Sequence, residues 1–199
     1  MRAAALPRAR AEAPLPPPPP RHLGLSVQLG PAVALAAGGV DPTLHILIDL
    51  RWVPGEWLGV DVCGLVPTSP AHIESVEGTS LVTLALLGAG AHIALAPLLG
   101  DRSAEPRWTP TLGAGVAAAW LQLEGIANPP YAGREEDVGM VAPYLRAGLG
   151  VTVLPHLRVR VDLLGGATAP RPVIRHAANE TAAWGPIFGL GSAGAEVAW

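Results

Sequence analysis

Eight charged residues stand at spacings that suit them to act on one another. In the segment HLRVRVDLL, residues 156–164, Arg158, Arg160 and Asp162 occupy every second position, and Asp49, Arg51, Asp61, Arg146 and Glu196 hold alternate positions in other apolar segments. Charges at strict period two beside Leu and Val describe a strand with one wet and one apolar face, because a helix would spread them around its circumference. Four guanidiniums and four carboxylates form a neutral set, which suits either an ion or proton path or a paired network filling a narrow interior. The paired network is the reading adopted here.

Other reactive types are scattered. An acyl-transfer site needs a nucleophile within hydrogen-bond reach of a base. Ser26 and Ser192 fall toward one end of their segments and His45 toward the other, about 10 Å away along a strand. His45, His92 and His156 show no recurring metal-ligand spacing. His176, Asn179 and Glu180 sit in a loop whose nucleophile is Thr181, and Asn179-Glu180-Thr181 fits a glycosylation acceptor pattern from another kind of cell. Cys63 is alone, so no internal disulfide forms, and it reads as a small packed strand residue. The reading is therefore no enzyme, no catalytic residue, no cofactor and no metal.

The segments that position these residues span most of the chain. Half of the 199 residues are hydrophobic and only 15% are charged, a composition too apolar for an ordinary soluble domain. The 13 basic residues are all Arg and do not cluster, which argues against a nucleic-acid partner. Residues 1–22 read as a truncated export signal or disordered leader: Ala9-Arg10-Ala11 resembles a cleavage site, and Pro16 to Pro20 form a stiff run. Residues 23–199 read as one domain. Eight segments of about ten residues follow, the length a tilted membrane-spanning strand needs. They run over 23–36, 43–53, 56–65, 80–96, 108–123, 140–153, 156–164 and 184–199. The stretch Leu81 to Leu99 is long and apolar enough for a helical span, but Gly88, Gly90 and Pro97 favour a strand. In the last segment Ile187, Phe188 and Leu190 break parity, which predicts a bulge near Gly189 to Gly191.

Connections alternate short and long, placing both termini at one end of an even-stranded barrel. The long ones, 67–78, 124–138 and 167–183, read as irregular exposed loops, with Tyr131, Arg134, Glu135, Glu136 and Asp137 as candidate ligand contacts. Aromatic residues gather near segment ends. Trp52, Trp57, Trp108 and Trp199 lie at the terminal end and Trp120, Tyr144 and Trp184 at the other, so two interfacial girdles are expected.

The final eight residues, SAGAEVAW, place Ser192, Gly194, Val197 and Trp199 at the spacing polar-x-Gly-x-x-apolar-x-aromatic. This resembles the C-terminal assembly signal of bacterial outer-membrane barrels, and the whole pattern resembles the small eight-stranded OmpA/OmpX type. The resemblance implies an all-β, eight-stranded antiparallel up-and-down transmembrane β-barrel in the bacterial outer membrane with periplasmic termini. It also implies lipid, lipopolysaccharide and the barrel assembly machinery as partners. The functional expectation is a structural or surface-binding scaffold acting through extracellular loops. A small ion or solute channel, or an outer-leaflet lipid A-modifying enzyme, are the alternatives.

Overall fold

The computed structural model describes residues 24–55, 57–76, 78–100, 106–130, 132–176 and 179–199, with side chains outside 175–181. The expected leader lies outside these residues. Eleven strands are described: β1 (Leu25–Ala36), β2 (Thr43–Trp52), β3 (Leu58–Pro67), β4 (Ala71–Ser75), β5 (Gly78–Ala94), β6 (Trp108–Ala127), β7 (Glu135–Leu154), β8 (Leu157–Ala167), β9 (Val173–His176), β10 (Asn179–Ala183) and β11 (Ile187–Ala198).

Eight of them close a barrel in the cyclic order β1, β2, β3, β5, β6, β7, β8, β11, every neighbour antiparallel. Closure satisfies the backbone groups that the edges of an open sheet would leave unpaired. The register makes the parity concrete. On β2, Leu44, Ile46, Ile48 and Leu50 are exposed outside while His45, Leu47, Asp49 and Arg51 are buried inside. The apolar stretch from Leu81 onward is strand β5 and its turn, and no helix among the described residues is long and apolar enough to cross a membrane.

Two expectations need correction. The pairing of β11 with β8 runs from Ile187 to Val197 without a shift, so no bulge occurs at Gly189 to Gly191. Phe188 and Leu190 share the inward parity of Ser192, and Ile187 alone points out. The irregularity is instead in β7, between Thr152 and Leu154, opposite β8.

The long connections are also largely ordered. β4 extends the line of β3 along β5, and its register is shifted: Leu65 pairs with Leu86 and Ala71 with Val82. β6 and β7 continue as a paired hairpin to Glu124 opposite Glu135. β9 and β10 form a separate hairpin. Each hairpin thus continues to pair its own backbone N–H and C=O groups past the point where its strands leave the barrel wall. The rim opposite the termini is uneven as a result, high along β4 to β7 and low along β1, β2, β8 and β11.

Candidate functional site: a two-storey lumen

The interior has a lower, ionic storey toward the termini and an upper, apolar one. In the lower storey Asp49 is fully buried on β2, and its Oδ2 accepts from Arg51 Nε and from Arg146 Nη2, each at 2.6 Å. Asp162 on β8 receives Arg51 Nη2 at 3.1 Å, Arg146 Nε at 3.2 Å and Arg160 Nε at 3.1 Å. Arg51 and Arg146 therefore each span both carboxylates, and the four groups alternate in sign. This repays the cost of dehydrating them better than isolated pairs would.

The remaining charges extend this centre. Asp61 takes a hydrogen bond from His92 Nδ1 at 3.1 Å and lies 3.5 Å from Arg146 Nη1. Glu196 lies 3.7 Å from Arg158 on one oxygen and 3.7 Å from Arg160 on the other. All eight charges singled out from the sequence thus face one lumen, with Arg158 the most accessible at its lower edge. Sequence reasoning left out Thr111, which accepts a hydrogen bond from Arg160 Nη2, and His92 as an ion-pair member. Both have the inward parity of their strands, which was the available signal.

Above this layer Tyr144 crosses toward Cys63, with the hydroxyl 3.9 Å from Sγ. Then come Leu47, Leu65, Val82, Leu84, Leu86, Leu121, Met140, Leu164 and Leu190, all buried together. Trp184 closes the top, stacked on Phe188 with ring centroids 5.6 Å apart. The Trp184 backbone N–H donates to Pro172 O, and the neighbouring Ala183 backbone N–H donates to Gly38 O in the β1–β2 turn, where Gly38 and Gly39 adopt positive φ. The β9–β10 hairpin and that turn are stitched together over the mouth.

The aromatic expectation is therefore corrected at two positions. Tyr144 is only 4% exposed and Trp184 2%, so both serve the interior and neither faces outward. Tyr144 shares the parity of Arg146 two residues on, which requires it to point in. Trp184 precedes β11 and packs as part of the cap. Trp52, Trp57, Trp108, Trp120 and Trp199 are exposed. Trp108 and Trp120 both lie on the outer face of β6, twelve residues apart, about 30 Å along the axis of a tilted barrel. Between them that face shows Pro110, Leu112, Ala114, Val116 and Ala118, and neighbouring β7 shows Val141, Pro143, Leu145, Ala147 and Leu149. Beyond Trp120 it turns acidic, with Glu124 directly opposite Glu135 and Gln122 opposite Asp137.

Large inward side chains lie over glycines of the next strand. His92 covers Gly59, Tyr144 covers Gly115, Asp162 covers Gly148 and Phe188 covers Gly166; each pair is in register, and a Cβ at each glycine would collide with that neighbour. Eight strands leave an interior only wide enough for side chains, and the glycines supply the missing width.

The dispersed reactive groups stay dispersed. Ser192 and His45 share one ladder row through Ala32, closer in level than the sequence reading placed them, with strand β1 between them. His45 Nε2 bonds Thr43 Oγ1 at 2.8 Å, while His45 Nδ1 and Ser192 Oγ have no hydrogen-bond partner among the described residues. Ser26 lies a ladder step from Arg51 at the terminal end. His92 is in the ionic storey and His156 in the β7–β8 turn, and no group of three or more metal-ligating side chains occurs among the described residues. Tyr131 and the side chains of His176, Asn179, Glu180 and Thr181 lie outside the described residues.

The C-terminal residues complete the wall. Ser192 and Glu196 face in, Val197 and Trp199 face out, and Trp199 N–H donates to Leu25 O on β1. At this seam Gly30 and Gly194 approach so closely that a Cβ on either would strike the other strand's backbone.

No protein-family model matches the chain, and no curated protein matches its sequence. Solved structures do match its fold. The outer membrane protein OprG from Pseudomonas aeruginosa superposes with a TM-score of 0.61 at 12% identity, covering 89% of this chain and 97% of that one. Neisserial surface protein A gives 0.55 at 15% identity, covering 88% and 97%. Ail, the attachment invasion locus protein of Yersinia pestis, gives 0.50 at 10%, covering 88% and 96%. The chain has the closed eight-stranded antiparallel fold of the small outer-membrane β-barrels.

Proposed function

We propose that this chain is a bacterial outer-membrane scaffold whose lumen is sealed and whose contacts are made by the sheet rising beyond the bilayer. The observation that carries this reading is the stacking of an apolar storey on an ionic one, capped by Trp184. Ions that enter the lower storey meet a packed layer of Leu, Val and Met side chains in which the polar groups are few and buried, among them Ser192 and the hydrogen-bonded pair Thr43 and His45. The apolar belt between Trp108 and Trp120 supports the membrane setting. The two termini share one end, which in this reading is the periplasmic one, and the residues from Ser192 to Trp199 serve as the signal read by the barrel assembly machinery.

Lipopolysaccharide and phospholipid surround the wall, while the raised sheet carries the ligand contact. Glu124, Glu135 and Asp137 make its outer surface negative, which complements a cationic partner surface. The reading contains no catalytic step, because the one Ser and His that share a row are not hydrogen-bonded to each other.

Recording from a planar bilayer containing the purified, folded protein tests the seal. The expected trace shows no steady ion current. A stable open conductance that disappears when bulk is added at Gly148 or Gly150 would establish the channel alternative instead.

A further inference from the structure

The connection between β5 and β6 begins with Ala94-Leu95-Ala96-Pro97-Leu98-Leu99-Gly100. Pro97 cannot donate to the ladder, and the strand gives way to one helical turn closed by Leu99 N–H on Leu95 O at 2.9 Å, with Gly100 leaving it at φ +94°. Leu95 N–H still donates to Pro110 O, so the ladder register places Pro97 level with Trp108. Leu98 and Leu99 follow within that turn, one and two residues past the Trp108 level. They are 67% and 76% exposed. On the β3 side Ala94 N–H donates to Trp57 O at 2.7 Å, which brings a second exposed Trp beside the turn.

We propose that this turn is an interfacial anchor, with Leu98 and Leu99 inserted into the headgroup layer of the phospholipid leaflet at the terminal end of the barrel. The inference rests on the membrane reading above. Three observations select lipid as the occupant over a soluble protein. The turn is continuous with the apolar outer wall, through Ile93 and Ala91 on β5 and Leu112 on β6. It is flanked by Trp57 and Trp108, a residue type that settles at the headgroup level. The turn itself, Leu95 to Gly100, carries no charged residue, and the charges of this connection, Asp101, Arg102, Glu105 and Arg107, come after it. Short apolar tips of this kind bind an interface by burying side chains at the boundary between headgroups and acyl chains. The anchors become lopsided, with four Trp and this turn at the terminal end against Trp120 at the other.

Single cysteines at Leu99, Leu50 and Val76, placed in the full chain carrying Cys63→Ala and labelled with an environment-sensitive fluorophore, test this. The protein is folded into vesicles of phosphatidylethanolamine and phosphatidylglycerol. Two quenchers are compared: a lipid bearing a nitroxide near its headgroup, and aqueous iodide. The expected result is that Leu99 behaves as Leu50 does, quenched by the nitroxide and with loss of the iodide quenching seen at Val76. Leu98→Cys repeats the measurement should Leu99→Cys fail to fold. Iodide quenching at Leu99 as strong as at Val76, with Leu50 still quenched by the nitroxide, overturns the anchor alone. Protection of Leu99 from both quenchers places the turn against protein and also overturns it. Absence of nitroxide quenching at Leu50 removes the membrane reading itself and the anchor with it.

Discussion

Arg146 and Asp49 meet across the full width of the barrel: Nη2 on β7 lies 2.6 Å from Oδ2 on β2, and these two strands are diametrically opposed in the closed order. The same guanidinium holds Asp162 on β8 through Nε and lies 3.5 Å from Asp61 on β3, so one side chain ties four strands together. Arg51 repeats the connection from the other side. The lower storey is therefore a cross-braced layer, and its members are coupled far more tightly than surface ion pairs would be.

Arg146→Leu should lower stability by about 3–5 kcal/mol, because Asp49 and Asp162 both lose a partner while remaining buried. Val159→Leu, on the outer wall, should shift it by less than about 1.5 kcal/mol. The midpoint of urea unfolding in vesicles measures both. Adding Asp49→Asn to Arg146→Leu should recover part of the loss, and strict additivity of the two changes would show that they do not share a network.

Trp184→Ala should destabilise by about 3–5 kcal/mol through the cavity it leaves above Phe188. The near-ultraviolet circular dichroism of the aromatic stack should fall with it. No steady bilayer current should appear, since the apolar layer from Leu47 to Leu190 remains beneath the cap. A persistent current in this variant would assign the seal to Trp184 alone.

Ile48→Arg on the outer face of β2 should cost about 2–4 kcal/mol if that face meets the middle of the bilayer. The equivalent change at Val76, on the tip of the β4–β5 turn, should cost almost nothing. Equal effects at the two sites in a vesicle refolding titration would contradict the membrane setting.

Deleting residues 197–199 should abolish assembly. It removes the outward Val197 and Trp199 and the hydrogen bond from Trp199 to Leu25 that closes the seam. The folded form of such a barrel resists unheated detergent and runs apart from its boiled form on a gel. That shift should be present in the parent and missing in the truncation; normal membrane levels of a shifted band would refute the role given to these residues.

The eight wall strands and the inward charges were legible because polar and apolar residues alternate visibly in β2, β3 and β8. The apolar storey was not. In β5 the run LVTLALL is apolar on both faces, so alternation vanishes where an apolar outer side and an apolar interior share a strand. Tyr144 shows the competition between cues: its position near a strand end suggested a girdle, while parity with Arg146 placed it inside. β4, β9 and β10 are four or five residues long, too short for a period of two to register, and Trp184 precedes its strand and so has no parity to read.

The pairing of inward bulk with a facing glycine makes side-chain volume a shared quantity between neighbouring strands. A larger residue at Gly59 is compatible with the fold only where His92 and Val53 give way, and Gly148 stands in the same relation to Asp162 and Arg160; at Gly115 and Gly166 the backbone carbonyls of Ala89 and Pro143 exclude a Cβ whatever the facing ring does. Sequence drift in this lumen therefore proceeds by reciprocal exchange between registered partners. Lineages diverging from this chain should reveal the interior as correlated size swaps on adjacent strands, while the outward-facing positions change one at a time.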